Sequence, residues 1–142
     1  MRLHLAGKLE RSISHSSYLS FFFASFAVDD HILLKAEVVG APPFIGKVTA
    51  LSKDSSGTQY VQCRWFFRPE DTPYQRKSFH GAKEVFFSDW LDENTPDTIV
   101  GRCRVLSIHS YAQLKHVGEH DFFCRFLYHP LKKSFTPKDV EL

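Results

Sequence analysis

The sequence predicts a mainly β domain, an antiparallel barrel or sandwich, on three observations. The first is the stretch Tyr60–Pro69, which holds one small polar residue, Gln62, and the consecutive aromatics Trp65, Phe66 and Phe67. Aromatic and β-branched residues in such a run favour a strand, and Pro69 ends it because proline cannot continue a central ladder. The second is that about six runs of this kind follow one another at hairpin-length intervals. The third is how little helix there is. Only Ser110–Val117 has helical spacing, with Ser110 as cap and Tyr111 and Leu114 at i, i+3.

In chain order, His31–Ala36 is a short apolar strand, and Pro42–Ser52 reads as a loop entering a second strand. Lys53–Gly57 has turn chemistry and joins that strand to the aromatic one as a hairpin. Glu70–Gly81 is a polar loop and Lys83–Phe87 the next strand. Ser88–Asp97 then carries Asp89, Asp92, Glu93 and Asp97 around Trp90, and reads as a solvated acidic loop. Gly101–Ser110 alternates as a half-buried strand, Asp121–Tyr128 is the last clear strand, and Phe135–Val140 closes as a turn or short 3-10 segment. No internal repeat or low-complexity tract interrupts this order.

A chain of 142 residues is one domain by size, and with 14 Phe its core must be built from rings. Cys63, Cys103 and Cys124 are odd in number and form no Cys-x-x-Cys pair, so neither a disulfide framework nor a zinc site is expected. Reduced, buried thiols suit a nuclear or cytosolic protein. The formal charge of +2 sits in the first 28 residues, where Arg2, Lys8 and Arg11 oppose Glu10, so residues 29–142 are neutral. A neutral domain lacks the electrostatic pull of a dedicated DNA binder. No nucleophile elbow is present, and no cofactor, metal or catalytic role is expected.

Residues 1–26 differ from the rest and are read as an N-terminal extension or a mispredicted start. Their basic beginning, the apolar stretch Tyr18–Val28, and small residues at Ser25 and Ala27 also have the shape of a secretory signal. The stretch is too short to span a bilayer as a helix.

Six segments carry a family resemblance: Asp30–Ala36, Pro42–Val48, Arg64–Glu70, Phe79–Asp89, Ile99–Cys103 and Asp121–Phe126. In order and spacing they resemble the bromo-adjacent homology (BAH) domain, as found in plant BAH–PHD chromatin readers of the SHORT LIFE and EARLY BOLTING IN SHORT DAYS type. The likeness spans residues 27–140, with 141–142 as a tail. It implies an antiparallel β-barrel core with short helices and long loops, in a nuclear chromatin protein, and it counts against secretion.

In those relatives the resemblance implies an aromatic cage that reads trimethylated lysine 27 of histone H3 in chromatin-based repression. The first cage tyrosine follows the Pro-Pro pair, where this sequence has Phe44. The cage tryptophan corresponds to Trp65, and the second tyrosine to Phe67. Trp90 stands where a histidine contacts the peptide. Phenylalanine keeps the ring face but loses the phenol hydrogen bond and attracts cations less well than tryptophan. No zinc-ligand array follows the domain up to Leu142, so no second histone contact through a PHD finger is expected.

The chemistry is simple. A trimethylated ammonium keeps its charge, donates no hydrogen bond and is drawn to ring faces by about 0.5–2 kcal/mol each. The expected cage is Phe44, Trp65 and Phe67, with Trp90, Asp89, Asp92 and Glu93 contacting the basic flanks of the peptide. The plain alternative makes the three rings core and the domain a protein–protein or nucleosome-surface module. A second alternative is a secreted β-domain released near Ala27. His80 reads as a loop residue bonded to backbone, and Arg64, Arg68, Arg76 and Lys77 as a solvated face.

Overall fold

The computed structural model describes residues 26–137; residues 1–25 of the expected N-terminal extension and of the signal-like stretch, and the tail, fall outside them, while Phe26 packs against the core. Strand β1 (His31–Leu34) pairs antiparallel with β2 (Phe44–Lys53), β2 with β3 (Gln59–Phe67), and β3 with β4 (Glu84–Asn94). These four account for the hairpin expected at Lys53–Gly57, where Gly57 turns at φ 91°. Strand β5 (Ile99–Arg102) lies antiparallel on the outer side of β1.

The remaining strands depart from a purely antiparallel order. Both β4 and β6 (Arg104–Ser107) run parallel to β7 (Asp121–His129), one on each side of it. A parallel pair needs a crossover of a dozen or more residues. Residues 108–120 provide it, and they contain the single α-helix among the described residues, α1 (Ile108–Ala112). Strand β8 (Ser134–Pro137) adds antiparallel to the other half of β7, where a turn was expected.

The barrel closes at one residue. The sheet path runs from β5 through β1, β2, β3, β4 and β7 to β6, and its two ends are separated in the chain only by Cys103. The Cys103 N–H donates to the His31 carbonyl, and the Val105 N–H to His31 Nδ1, both at 3.2 Å. Burial, and then the nearby Lys47, lower the His31 pKa to about 4, so the ring is neutral and free to accept that bond. The strand expected over Gly101–Ser110 is therefore two strands with a corner.

Helix α1 starts earlier than its spacing suggests. Ser107 is extended and its hydroxyl accepts the Ser110 N–H at 3.1 Å, so Ser107 rather than Ser110 is the cap. The acidic stretch also changes character: β4 continues through it to Asn94 instead of ending at Phe87.

Both faces of the sheet are buried. Ile32, Leu34, Trp65, Phe67 and Phe86 pack into one cluster, while Leu33, Phe66, Val85 and Phe87 pack into another. The alternation follows directly from the two-residue period of strands. The arginines expected on a solvated face are partly structural. Arg64 Nε donates to the Ser88 carbonyl at 3.0 Å with its guanidinium 4.0 Å from the Phe87 ring centroid, and Arg68 Nη1 donates to the Pro43 carbonyl at 2.8 Å.

Two carboxylates tie the barrel together. Glu84 is fully buried and accepts two bonds from Arg125, each 2.8 Å, and one from the Gly81 N–H at 3.1 Å. Removing one partner of such a pair strands a charge in the interior. Arg125→Met is therefore expected to lower the unfolding free energy in urea by about 3 kcal/mol, and adding Glu84→Gln to restore part of it. A loss below about 1 kcal/mol would remove the pair from the account of stability.

Asp121 is the second. Hydrogen bonds from Arg104 at 2.7 and 2.9 Å, joined by one from the Gly118 N–H at 2.7 Å, lower its carboxyl from the ordinary 3.8 to about 2. The charged form is favoured in the fold, so this contact stabilises fully above about pH 4 and is lost as pH falls toward 2. Urea midpoints of the wild type and Asp121→Asn are expected to differ at about pH 6 and converge near pH 2. An undiminished difference in acid would assign the effect elsewhere.

Candidate functional site

The site starts from an irregularity in the β3–β4 ladder. Arg64 pairs with Leu91 and Phe66 with Phe87, so Ser88, Asp89 and Trp90 together face the single residue Trp65. A bulge of this kind leaves backbone groups unpaired, and a buried unpaired carbonyl is costly. The buried Ser88 hydroxyl supplies what is missing: it donates to the Trp65 carbonyl at 2.8 Å and accepts the Trp90 N–H at 3.2 Å. On its other side Trp65 lies across from Gly46, which offers no side chain. A Cβ at Gly46 would meet Cys63 Cβ at 3.0 Å and Leu34 Cδ1 at 3.3 Å.

Phe44 reaches Trp65 from the start of β2, after Pro42 and Pro43. Their rings meet edge to face, centroids 5.6 Å apart and planes at 71°. Together they wall a pocket of about 170 Å3, completed by Leu34, Lys35, Ala36, Glu37, Asp92, Asn94 and Thr98. That volume is close to the roughly 150 Å3 of an engineered apolar cavity that admits benzene, so it has room for a branched headgroup. The indole edge carries a further feature: Trp65 Nε1 is buried and meets no acceptor among the described residues.

The acidic run divides by strand alternation. Asp92 and Asn94 point to one face, are 1% and 7% exposed, and line the pocket with the two rings. The Glu93 N–H donates to Asp92 Oδ1 at 2.8 Å. Asp92 also bears on Cys63 across the ladder: burial, and then the Asp92 charge, push that thiol up to about 12. Cys103 is likewise raised to about 12, chiefly by burial. Thiols held this high are packing groups rather than nucleophiles.

Of the residues singled out from sequence, Phe44, Trp65 and Asp92 meet at one pocket. Phe67 does not line it. It is 3% exposed and packs edge-on against Tyr128, ring centroids 5.2 Å apart. Strand alternation puts Phe67 on the face of Trp65, but two residues of rise carry it into the core instead of the opening. Trp90 is partly buried against that same core cluster. Asp89 is exposed, its Oδ2 3.6 Å from His129 Nδ1, and Glu93 is half-buried on the face opposite Asp92. His80 accepts the Lys77 N–H on Nδ1 at 2.8 Å, the backbone bond expected of it.

Sequence reasoning missed Asn94 and the Lys35–Glu37 wall. Asn94 was within reach, since a strand carried through the acidic run puts it two residues beyond Asp92. The wall was not, because it depends on where a loop lies. His116 and His120 have the four-residue spacing of a helical metal pair, yet both lie exposed beyond α1. Among the described residues no three His, Cys, Asp or Glu side chains group around a common point.

Comparison with known proteins places this architecture. A family model described as the BAH domain matches residues 24–139. "Chromatin remodeling protein SHL" of Arabidopsis thaliana is 40% identical over 134 residues, covering 94% of this chain and 59% of that protein. "Chromatin remodeling protein EBS" of the same plant is 39% identical over 111 residues, covering 78% and 47%. The solved yeast Rsc2 BAH domain superimposes with a TM-score of 0.69 at 25% identity, over 80% of this chain and 50% of that one. The chain thus spans about half the length of the curated relatives it matches.

The two phenylalanines are expected to separate cleanly in urea unfolding. Phe67→Ala should cost about 3–4 kcal/mol, as for a buried ring, and Phe44→Ala about 1–2 kcal/mol because that ring already faces the pocket. Equal losses would put both rings in the same environment.

Proposed function

The chain belongs to the BAH domain family, and on that premise we propose that it is a non-catalytic chromatin reader in the nucleus. In this reading it recognises the trimethylated side chain of lysine 27 in the histone H3 tail and serves transcriptional repression. The observation that carries the reading is the pocket in which Phe44 and Trp65 meet at 71° beside the buried Asp92. Two ring faces and a carboxylate suit a methylated ammonium: the rings attract the charge without requiring a hydrogen to donate, and the carboxylate balances it. The chromatin setting is drawn from the relatives, which are named as chromatin remodeling proteins.

The peptide-side residues follow from the same geometry. Glu37 is exposed at the pocket wall and meets the basic residues that flank the target lysine, while Asp89, exposed on the bulge, lies outside the pocket lining with His129 Nδ1 3.6 Å away. Trp90, partly buried, serves as a supporting wall rather than a first contact. Phe67 acts from behind, through the packing that fixes the strand. With two ring contacts the affinity falls in the micromolar range, on the order of −7 kcal/mol.

A second reading has an observation of its own. Trp65 is only 1% exposed, as expected of a ring whose task is to fill the core. In that case the domain is a BAH interaction module that contacts protein or nucleosome surface without selecting methylation.

Titration of trimethylated and unmodified H3 peptides, followed by tryptophan fluorescence, decides between them. The trimethylated peptide is expected to bind more tightly, and Phe44→Ala to weaken it about tenfold, the worth of one ring contact. Equal affinity for the two peptides would leave the second reading standing.

A further inference from the structure

A second concavity lies apart from the Trp65 pocket and has no part in the proposed reading. It measures about 400 Å3, within the range of roughly 300–1,000 Å3 typical of binding clefts. Its walls are the rings of Tyr74, Phe79, His80, Phe86, Phe126 and Phe135. Phe86 forms the buried floor, while Phe79, Tyr74 and Phe135 remain 72%, 47% and 38% exposed. Exposed rings gathered around one opening are unusual on a protein surface and mark contact sites.

The groove is built, not left over. Phe135 meets Phe86 at 4.9 Å and Tyr74 at 5.7 Å between ring centroids, and the Tyr74 hydroxyl donates to the Lys133 carbonyl, locking the β7–β8 turn to the loop before β4. Arg76 Nη1 holds the Gly81 carbonyl at 2.6 Å, and His80 ties the loop back to Lys77. Phe79 therefore stands out from a braced loop.

Charge says what kind of occupant fits. Around the groove, Glu70 is engaged by Arg76 at 2.8 Å, Glu84 by Arg125 at 2.8 Å, and Asp71 by the Arg68 backbone N–H at 3.0 Å. Lys77, Lys132 and Lys133 have no carboxylate partner among the described residues. Lys77 lines the groove, and Lys132 and Lys133 belong to the turn whose Lys133 carbonyl Tyr74 holds, so the charge beside the opening is positive. An apolar floor with a cationic rim suits an apolar anchor flanked by acids.

We propose that this groove docks a short segment of a partner protein, which inserts one bulky apolar side chain between Phe79, Phe86 and Phe135. Neighbouring glutamates or aspartates of that segment lie against Lys77, Lys132 and Lys133. The site is separate from the Trp65 pocket, so it joins the domain to a second protein without competing for the first ligand.

The test uses the full chain and three labelled peptides, of alternating glutamate and leucine, lysine and leucine, and glutamate and serine, read by fluorescence anisotropy. The glutamate–leucine peptide is expected to saturate, with the other two at least about tenfold weaker. Phe79→Asp and Lys77→Glu, both at exposed positions, are each expected to weaken it about fivefold or more at unchanged melting temperature, with H3-peptide affinity unmoved. Equal binding of the lysine–leucine peptide, indifference to Phe79→Asp, or no saturation by about 1 mM would overturn the proposal. So would a concentration-dependent dimer abolished by Phe79→Asp, which assigns the groove to a second copy. Peptide binding that emerges only on removal of residues 138–142 would assign it to the chain's own tail.

Discussion

The hydrogen bond from the Ser88 hydroxyl to the Trp65 carbonyl is the constraint on which the geometry of this domain turns. Three residues of β4 stand against one of β3, and without an internal donor that mismatch would leave a buried carbonyl bare. With the donor in place the ladder resumes two residues out of step. The indole is pinned over Gly46, and because the shift is two residues β4 keeps the same faces beyond the bulge. Asp92 turns inward beside the rings while Asp89 stays in water. The hydroxyl thus lets the strand run on through the acidic stretch, where plain alternation puts Asp92 and Asn94 on the pocket face.

Much of the fold was legible because it rests on local chemistry. The aromatic strand, the turn at Gly57 and the β7 stretch each carry their own signal of alternation or turn residues, and the structure follows them within a residue or two. What escaped was set by long-range pairing. Nothing local marks Cys103 as a corner, since the bond that makes it one comes from His31, far away in the chain. Acidic residues hid the second half of β4, because charge is a cue for solvent and a buried Asp92 overrides it only through its tertiary neighbours. The two parallel ladders were equally hidden, for strand direction is written in connections and not in side chains.

The site shows the same division. The Trp65–Phe44 meeting was implied by the family resemblance, whereas the fate of Phe67 is set by tertiary packing. Alternation gives the face of a side chain but not its depth, and Tyr128 on β7 claims the ring for the core. Polar groups organise the remainder. Glu84 and Asp121, each held by an arginine, sit on the two flanks of the N-terminal half of β7, so the start of that strand is clamped by charge as well as by ladder.

The crossover between β6 and β7 bears on how the chain acquires its shape during synthesis. Strands β1 to β4 can zip up as successive hairpins while the ribosome is still adding residues, but the open side of β4 has no neighbour until positions 121–129 emerge. Until then a strand containing Val85, Phe86 and Phe87 is left with its amide edge unsatisfied, the kind of surface that recruits foreign strands. Ring closure is thereby postponed until β7 has been made, and the nascent domain is most vulnerable to aggregation just before that strand arrives.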